Sequence, residues 1–339
     1  MLVLGIETTC DETACAVVES GKTILSNVIS SQIGIHKNFG GVYPELASRS
    51  HVDNLIPILE FALEEAKVKP EEIDLIAVAR APGLIGAINV GLNAAKALSL
   101  ALNKPYVGVN HVEAHMYAAM MTQEALSFPS LGVVLSGGHT FIVKIHGIGF
   151  YELLGTTVDD ALGEAFDKVG CLLELPYPGG PEIEKLAKMG RKEKFIFKSG
   201  QVKGKPFHFS FSGIKTNVLY SLKGANSVKH SPVLISAEEK KDVAASFQEA
   251  VFSDVIKKTL KAAQLHNCKD IYLGGGVTAS QALKEMFQLA SQGNFNFYYP
   301  QPGLSLDNGA MIAGLGYHVF KTKQRSDLLD LQALPRLPL

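Results

Sequence analysis

The chain has 339 residues, of which 47% are hydrophobic and 19% charged, with a formal net charge of -1. That length exceeds one usual domain, and the charged share lies below the ~25% of an average soluble domain, so much of the chain is expected to bury itself or to hide surface against partners. The near-neutral balance excludes a global pull toward nucleic acid, and any such contact must come from a local patch.

The four cysteines, Cys10, Cys15, Cys171 and Cys268, include no CxxC pair. This argues against a zinc ribbon and fits a reduced compartment. The N-terminus opens on a strand-like run, Leu2 to Ile6, without a basic or Arg-rich leader,. Apolar runs are broken by Gly, Asn or Lys well short of ~20 residues. A cytoplasmic protein with no membrane partner is expected.

In chain order, three short strands are predicted at Leu2–Glu7, Cys15–Glu19 and Thr23–Ile29,. A helical pattern runs from about Glu45 to Ala66, with Pro57 able to kink it,. Asp74–Ala79 is a buried-type strand, and the PGLIG turn leads to an Ala/Leu helix near Asn89–Leu102. Tyr106–Val109 is another strand. A second series begins near Leu131, with strand Val133–Leu135, a tight SGGHT turn and strand Phe141–Ile145. Helices follow around Ala161–Leu173, Glu182–Met189, Ile214–Leu222 and Val243–Leu265. Strand Ile271–Leu273 enters GGGV, and a last helix holds Asn308–Phe320 before a Leu/Pro tail. Strand, small-residue turn, strand heads each half of the chain. This weak echo predicts two similar α/β lobes facing each other across a nucleotide cleft, residues 1–122 and 123–322, with an extended tail at 323–339.

His111 and His115 are spaced i, i+4 in HVEAH. On a helix both imidazoles face one side and can reach one cation, and neutral imidazole suits Zn, Fe, Ni or Cu. Asp307, just before an apolar helix, is a candidate third ligand, although an N-cap is the ordinary role for an aspartate there. In the HExxH pattern of zinc proteases the glutamate acts through a metal-bound water. Here Glu113 lies two positions from each histidine, roughly 160–200° around the helix at about 100° per residue. That placement argues against a protease.

Turns rich in Gly, Ser and Thr fall at Glu7–Thr13, Ser136–Thr140, Gly179–Gly180 and Gly274–Gly276. Such turns let backbone N–H groups converge on an anion. The acids of DDALGEAFDK (Asp159, Asp160, Glu164 and Asp167) also fit ordinary decoration of a helix start. Between Lys185 and Lys205 lies the most basic stretch, with Lys188, Arg191, Lys192, Lys194, Lys198 and Lys203. It reads either as solvated surface or as a contact for nucleic-acid phosphates.

Eight motifs occur in order: IETTCDETA from Ile6, NHVEAH from Asn110, LSGGHT from Leu135, DDALGEAFDK from Asp159, PGGPEIEKLA from Pro178, FSFSGIKT from Phe209, GGGVTAS from Gly274 and LDNGAMIA from Leu306. Together they closely resemble the TsaD/Gcp family, once described as O-sialoglycoprotein endopeptidase, over nearly the whole chain. The resemblance implies an α/β, two-lobed actin-like ATPase fold of the sugar kinase and heat-shock type. It implies transfer of a threonylcarbamoyl group from L-threonylcarbamoyladenylate to the adenosine amino group beside the anticodon of ANN-decoding tRNAs. By motif matching, His111, His115 and Asp307 would hold one divalent metal per subunit, iron or zinc. Val134, Leu135, Ser136, Gly137 and Gly138 would contact substrate, and Asp167, Gly180 and Glu184 the nucleoside of the adenylate. Partners implied are tRNA, a smaller actin-like paralogue and a P-loop ATPase. Two positions depart from the pattern. Ser305-Leu306 replace a common Cys-Thr, and Ser280 stands where Asn is usual, which puts its nucleoside contact in doubt.

The implied reaction is acyl transfer to a weakly nucleophilic aromatic amine, so the site must orient reactants and stabilise oxyanion charge. Asp11 and Glu12 are the candidates for positioning the threonyl part or relaying the amine proton. Two other readings of the same fold are an actin-like small-molecule kinase and a non-catalytic scaffold in a tRNA-modification complex. A kinase has no job for the histidine pair, and a scaffold is expected to have lost it.

Overall fold

In the computed structural model, residues 1–39, 41–121, 123–228, 231–232 and 234–337 are described. Thr122, at the edge of the expected first lobe, and the last two residues of the tail lie outside them. The elements in order are β1 (Leu2–Glu7), β2 (Glu12–Glu19), β3 (Thr23–Ser31), α1 (Ile33–His36), α2 (Pro44–Ala66), β4 (Leu75–Ala81), α3 (Ile85–Leu102), β5 (Tyr106–Asn110) and α4 (His111–Met120). Then come β6 (Ser130–Leu135), β7 (Thr140–Gly147), β8 (Phe150–Thr156), α5 (Leu162–Leu172), α6 (Gly179–Ala187), α7 (Ser212–Lys223), α8 (Ala237–Leu265), β9 (Asp270–Gly274), α9 (Gln281–Ser291), β10 (Asn296–Tyr298) and α10 (Gly309–Lys323).

The expected internal echo is present at the level of topology. One sheet has the order β3-β2-β1-β4-β5 and the other β10-β9-β6-β7-β8. In the first, β1 pairs antiparallel with β2 and parallel with β4. In the second, β6 pairs antiparallel with β7 and parallel with β9. Each half thus opens with a hairpin whose first strand then sits centrally, flanked by a later parallel strand. Central strands covered on both faces must be apolar throughout. Val3 through Ile6 and Leu131 through Leu135 are accordingly buried without alternation.

Two compact units emerge. The first is Met1–Leu126, Ile148–Phe150 and Tyr299–Leu339, and the second is Ser127–Gly147 with Tyr151–Tyr298. Residues 299–322, expected in the second lobe, therefore belong with the first, because of backbone-level packing by α10. A Cβ at Gly5 would lie 2.2 Å from Gly309 O, and one at Gly309 would lie 2.6 Å from Ala16 N. Only with glycine at both positions can α10 press directly on β1 and β2. Pro57 sits inside α2, which continues through it to Ala66.

The tail closes an open sheet edge. Tyr106 N donates to Ser326 Oγ at 3.1 Å, Asp327 N to Tyr106 O at 2.9 Å and Gly108 N to Asp327 Oδ2 at 2.8 Å. These bonds satisfy the unpaired side of β5, which an exposed edge strand would offer to other chains. Beyond them, Leu331 and Ala333 pack against the core around Leu4, Leu59 and Ile76.

One helix among the described residues is long and apolar enough to cross a membrane: α3, of 18 residues with mean hydropathy 1.4. It buries Ala87, Ile88, Gly91, Leu92 and Ala95 within its unit. It also carries the exposed amides of Asn89 and Asn93, which a lipid environment would leave unsatisfied,.

Candidate metal centre and glycine turns

In the first unit, β5 ends at Asn110, whose Oδ1 accepts from Val112 N at 2.8 Å and Glu113 N at 3.3 Å. This N-cap starts α4 at His111 and places His115 one turn further on the same face. Both histidines are buried. At the start of α10 the cap is Asn308: its Oδ1 accepts from Met311 N at 2.9 Å, while its Nδ2 donates to Leu304 O and Leu306 O. The ordinary capping role weighed for Asp307 is thus taken by its neighbour. Asp307 Oδ1 instead lies 3.1 Å from His115 Nε2 and 3.6 Å from His111 Nε2. One ligand atom from each of the three residues falls within 4.8 Å of the others.

The donor set fits a cation. Among the described residues neither ring nitrogen of buried His115 has a hydrogen-bond partner, although Nε2 is so close to Asp307. That is proximity without an N–H aimed at the oxygen, and buried polar atoms are rarely left so. His111 Nδ1 sits 2.8 Å from Glu7 Oε2, which leaves Nε2 directed to the Asp307 side. Burial pushes the His111 ring down, but the charges of Glu7 and Asp307 outweigh it and lift its value to about 9. Both carboxylates thus favour positive charge at this place,.

Further acids crowd the same place. Glu12, 8% exposed, is pushed well above the usual carboxylate range by burial, then by Asp307 and Asp11, with Ser31 Oγ donating to it at 3.0 Å. Burial and the same acids push up the Cys10 thiol, which is not in the ligand set. The turn bearing them is clamped from behind. Gln32 N donates to Asp11 O at 2.9 Å, and His51 Nε2 donates to Cys10 O at 3.0 Å while Thr13 Oγ1 donates to its Nδ1 at 2.8 Å. Sequence reasoning missed Glu7, Gln32 and His51. Only the position of Glu7 at the end of a buried strand, where a charge needs a reason, was a signal. Glu113 behaves as the helix geometry predicted. Burial lifts it to about 7, and the charge opposing that shift is Arg80 rather than either histidine.

In the second unit, three turns interlock. Ser136 N donates to His139 O at 2.9 Å, and Ser136 Oγ accepts from His139 N at 3.0 Å, closing the SGGH turn. Gly163, at the start of α5, donates to Ser136 O at 3.1 Å, and a Cβ there would lie 2.8 Å from Gly137 Cα. Gly275 has φ +91° and no room for a Cβ, which would fall 2.5 Å from Leu135 O. Gly137 and Gly138 stand exposed at the tip. The side chains of Val134 and Leu135 are wholly buried, so only their backbone can serve a ligand.

The remaining predicted residues have structural partners. Asp167 Oδ1 accepts from Gly179 N at 2.7 Å, and Glu184 Oε1 from Ala282 N at 3.1 Å. Ser280 Oγ accepts from Leu283 N at 3.2 Å and caps α9; Ser and Asn are nearly equivalent caps. Gly180 has open space at its Cβ position. Asp159 holds Ser210 Oγ and Phe211 N, and Asp160 is bridged by Lys168 and Lys215. The acids of DDALGEAFDK thus do more than decorate a helix start. Of the basic stretch, Lys185, Arg191 and Lys192 are paired with Glu182, Asp242 and Glu249, whereas Lys188, Lys194, Lys198, Lys203 and Lys205 are exposed.

Comparison with known proteins decides the family. The family model for TsaD, tRNA N6-adenosine threonylcarbamoyltransferase, matches residues 23–314. The chain belongs to this family. It is 59% identical to a tRNA N6-adenosine threonylcarbamoyltransferase of Protochlamydia amoebophila, covering 100% of this chain and 98% of that protein. A protein of the same name from Dictyoglomus turgidum is 47% identical over 99% of this chain and 98% of its own length. Among solved structures, T. kodakarensis HypF is similar at a TM-score of 0.63 and 15% identity, over 95% of this chain and 48% of that one. Component A of the Acidaminococcus fermentans (R)-2-hydroxyglutaryl-CoA dehydratase is similar at 0.54 and 12%, over 96% and 100%. These two likenesses concern the fold alone.

Proposed function

We propose that this TsaD-family protein transfers the threonylcarbamoyl group of L-threonylcarbamoyladenylate to the amino group of the adenosine beside the anticodon in tRNAs that decode ANN codons. The observation that carries the reading is the convergence of His111, His115 and Asp307, with two unpartnered nitrogens on His115, in a chain of this family. His111 Nε2, a nitrogen of His115 and an Asp307 oxygen would hold a divalent iron or zinc ion, which when bound supplies Lewis acidity toward the anionic substrate.

In the transfer, the adenosine nitrogen bonds to the carbamoyl carbon, the carbon–oxygen bond to phosphate breaks, and AMP leaves with that electron pair. The amine gives up one proton to Asp11, while Glu12, kept protonated by burial and the neighbouring acids, positions the threonyl part,. Backbone N–H groups of Gly137 and Gly138 take developing negative charge on the acyl oxygen. Asp167, Gly180, Glu184 and Ser280 sit at the starts of α6 and α9, or are bonded to them, and orient the nucleoside portion of the adenylate. Exposed Lys188, Lys194, Lys198, Lys203 and Lys205 receive tRNA phosphates. The protein works in the cytosol with a smaller actin-like paralogue and a P-loop ATPase.

The test is to incubate the protein with unmodified tRNA and threonylcarbamoyladenylate, with and without the partner proteins, and to digest the tRNA for nucleoside mass spectrometry. Threonylcarbamoyladenosine is expected. Its absence from folded, metal-loaded protein under every partner condition contradicts the reading.

A further inference from the structure

Glu7 closes β1 with its side chain at 0% exposure. Both carboxylate oxygens are engaged. Oε1 accepts from Thr9 N at 2.5 Å, and Oε2 lies 2.8 Å from His111 Nδ1. Thr9 Oγ1 is the second neighbour of that nitrogen, at 3.2 Å. Among the described residues no Lys or Arg pairs with Glu7, and its ionic partner is the His111 ring. A carboxylate buried so completely is costly unless it is paired. A purely structural link between β1 and α4 would be served as well by apolar side chains.

The two nitrogens of an imidazole are coupled. A carboxylate that accepts from Nδ1–H fixes the proton there and leaves the Nε2 lone pair for a metal. The Nε2 atom of His111 is the one on the Asp307 side, 3.6 Å from Oδ1. We propose that Glu7 is a positioning residue that fixes the proton and the ring plane of His111, so that Nε2 is presented to the cation. The proposal rests on the metal reading given above. Thr9 N holds the carboxylate in turn, so the three-residue step from strand end to turn sets the orientation of a histidine 104 positions away.

Zinc affinity of the full-length protein, measured by competition with a chromophoric chelator, tests this in wild type, Glu7→Gln and His115→Ala. A glutamine can turn its NH2 toward Nδ1 and so favour the tautomer that carries the proton on Nε2. Glu7→Gln is expected to bind zinc about 10- to 100-fold more weakly, and His115→Ala more weakly still. Nitrogen-15 NMR of zinc-loaded wild type is expected to show the His111 proton on Nδ1. A proton on Nε2 overturns the proposal. So does wild-type zinc affinity in Glu7→Gln while His115→Ala loses the metal, an outcome that leaves the metal site itself standing. Equal zinc binding in wild type and His115→Ala overturns the metal reading and the role of Glu7 with it. If Glu7→Gln does not melt cooperatively, Glu7→Asp takes its place. That variant keeps the charge but loses the reach, and undiminished zinc affinity in it overturns the proposal.

Discussion

Asn308 Oδ1 accepts from Met311 N at 2.9 Å, and by capping α10 it leaves the adjacent Asp307 to face His115 Nε2 at 3.1 Å. The order Asp-Asn divides labour between a candidate ligand and the residue that sets its direction. Asn308→Ala is expected to cost about 1 kcal/mol for the lost cap, and more because its amide also ties down Leu304 and Leu306. Thermal unfolding would show the loss, and chelator competition would show weaker metal binding. Unchanged metal affinity would mean that Asp307 is oriented by something else.

Gly163→Ala tests the interlocked turns of the second unit. The added methyl would stand 2.8 Å from both Gly137 Cα and Ser136 O, which are backbone atoms that cannot rotate away. Overpacking of this kind costs about 1–3 kcal/mol. Here it would also push the SGGH turn out of place, so the KM for the adenylate should rise along with the drop in melting temperature.

Asp160 gives a pH signature. Burial pushes its carboxyl up, but hydrogen bonds and charge from Lys168 and Lys215 outweigh burial and hold it below the usual value. Between the folded and unfolded values the unfolded state binds more protons. The stabilisation is therefore full above the unfolded value of about 3.9 and fades as pH falls through the folded one. Asp160→Asn should be less stable than wild type at neutral pH, and the two should converge in acid. A constant difference across an acid titration of chemical denaturation would contradict this assignment.

Much of this fold could be read from the chain because its signals are local. The buried strands Val3–Ile6 and Leu131–Leu135 announce themselves as apolar runs, and the HVEAH spacing needs only a helix to bring two imidazoles together. β8 and β10 escaped because neither has a clear period: β8 buries a single residue, and β10 is three residues long. The assignment of α10 to the first unit depends on contact between Gly5 and Gly309, more than 300 positions apart, which no local pattern encodes. Glu7 carried one signal, a charge at the end of a buried strand, but its role could not be read from it, since its partner His111 comes from a different strand–helix junction. Asp307 and Asn308 could both be read as caps, and only the observed hydrogen bonds separate their roles.

The basic stretch makes a separate prediction. Lys198→Ala and Lys203→Ala remove exposed charges that have no ion pair among the described residues, unlike Arg191, which is locked to Asp242. Each should weaken tRNA binding to a similar degree for all sequences and reduce the salt dependence by about one phosphate contact. Binding titrations over a range of salt concentrations would check it, and an unaltered slope would return these lysines to ordinary solvated surface.

A metal centre of His111, His115 and Asp307 that drives transfer to tRNA is tested most directly by single-turnover formation of threonylcarbamoyladenosine by metal-loaded wild type and by His115→Ala, with all partner proteins present. A fall of about a hundredfold or more is expected in the variant, the scale on which misplaced reacting groups lose rate, with the fold intact. A wild-type rate from a folded His115→Ala protein would contradict it.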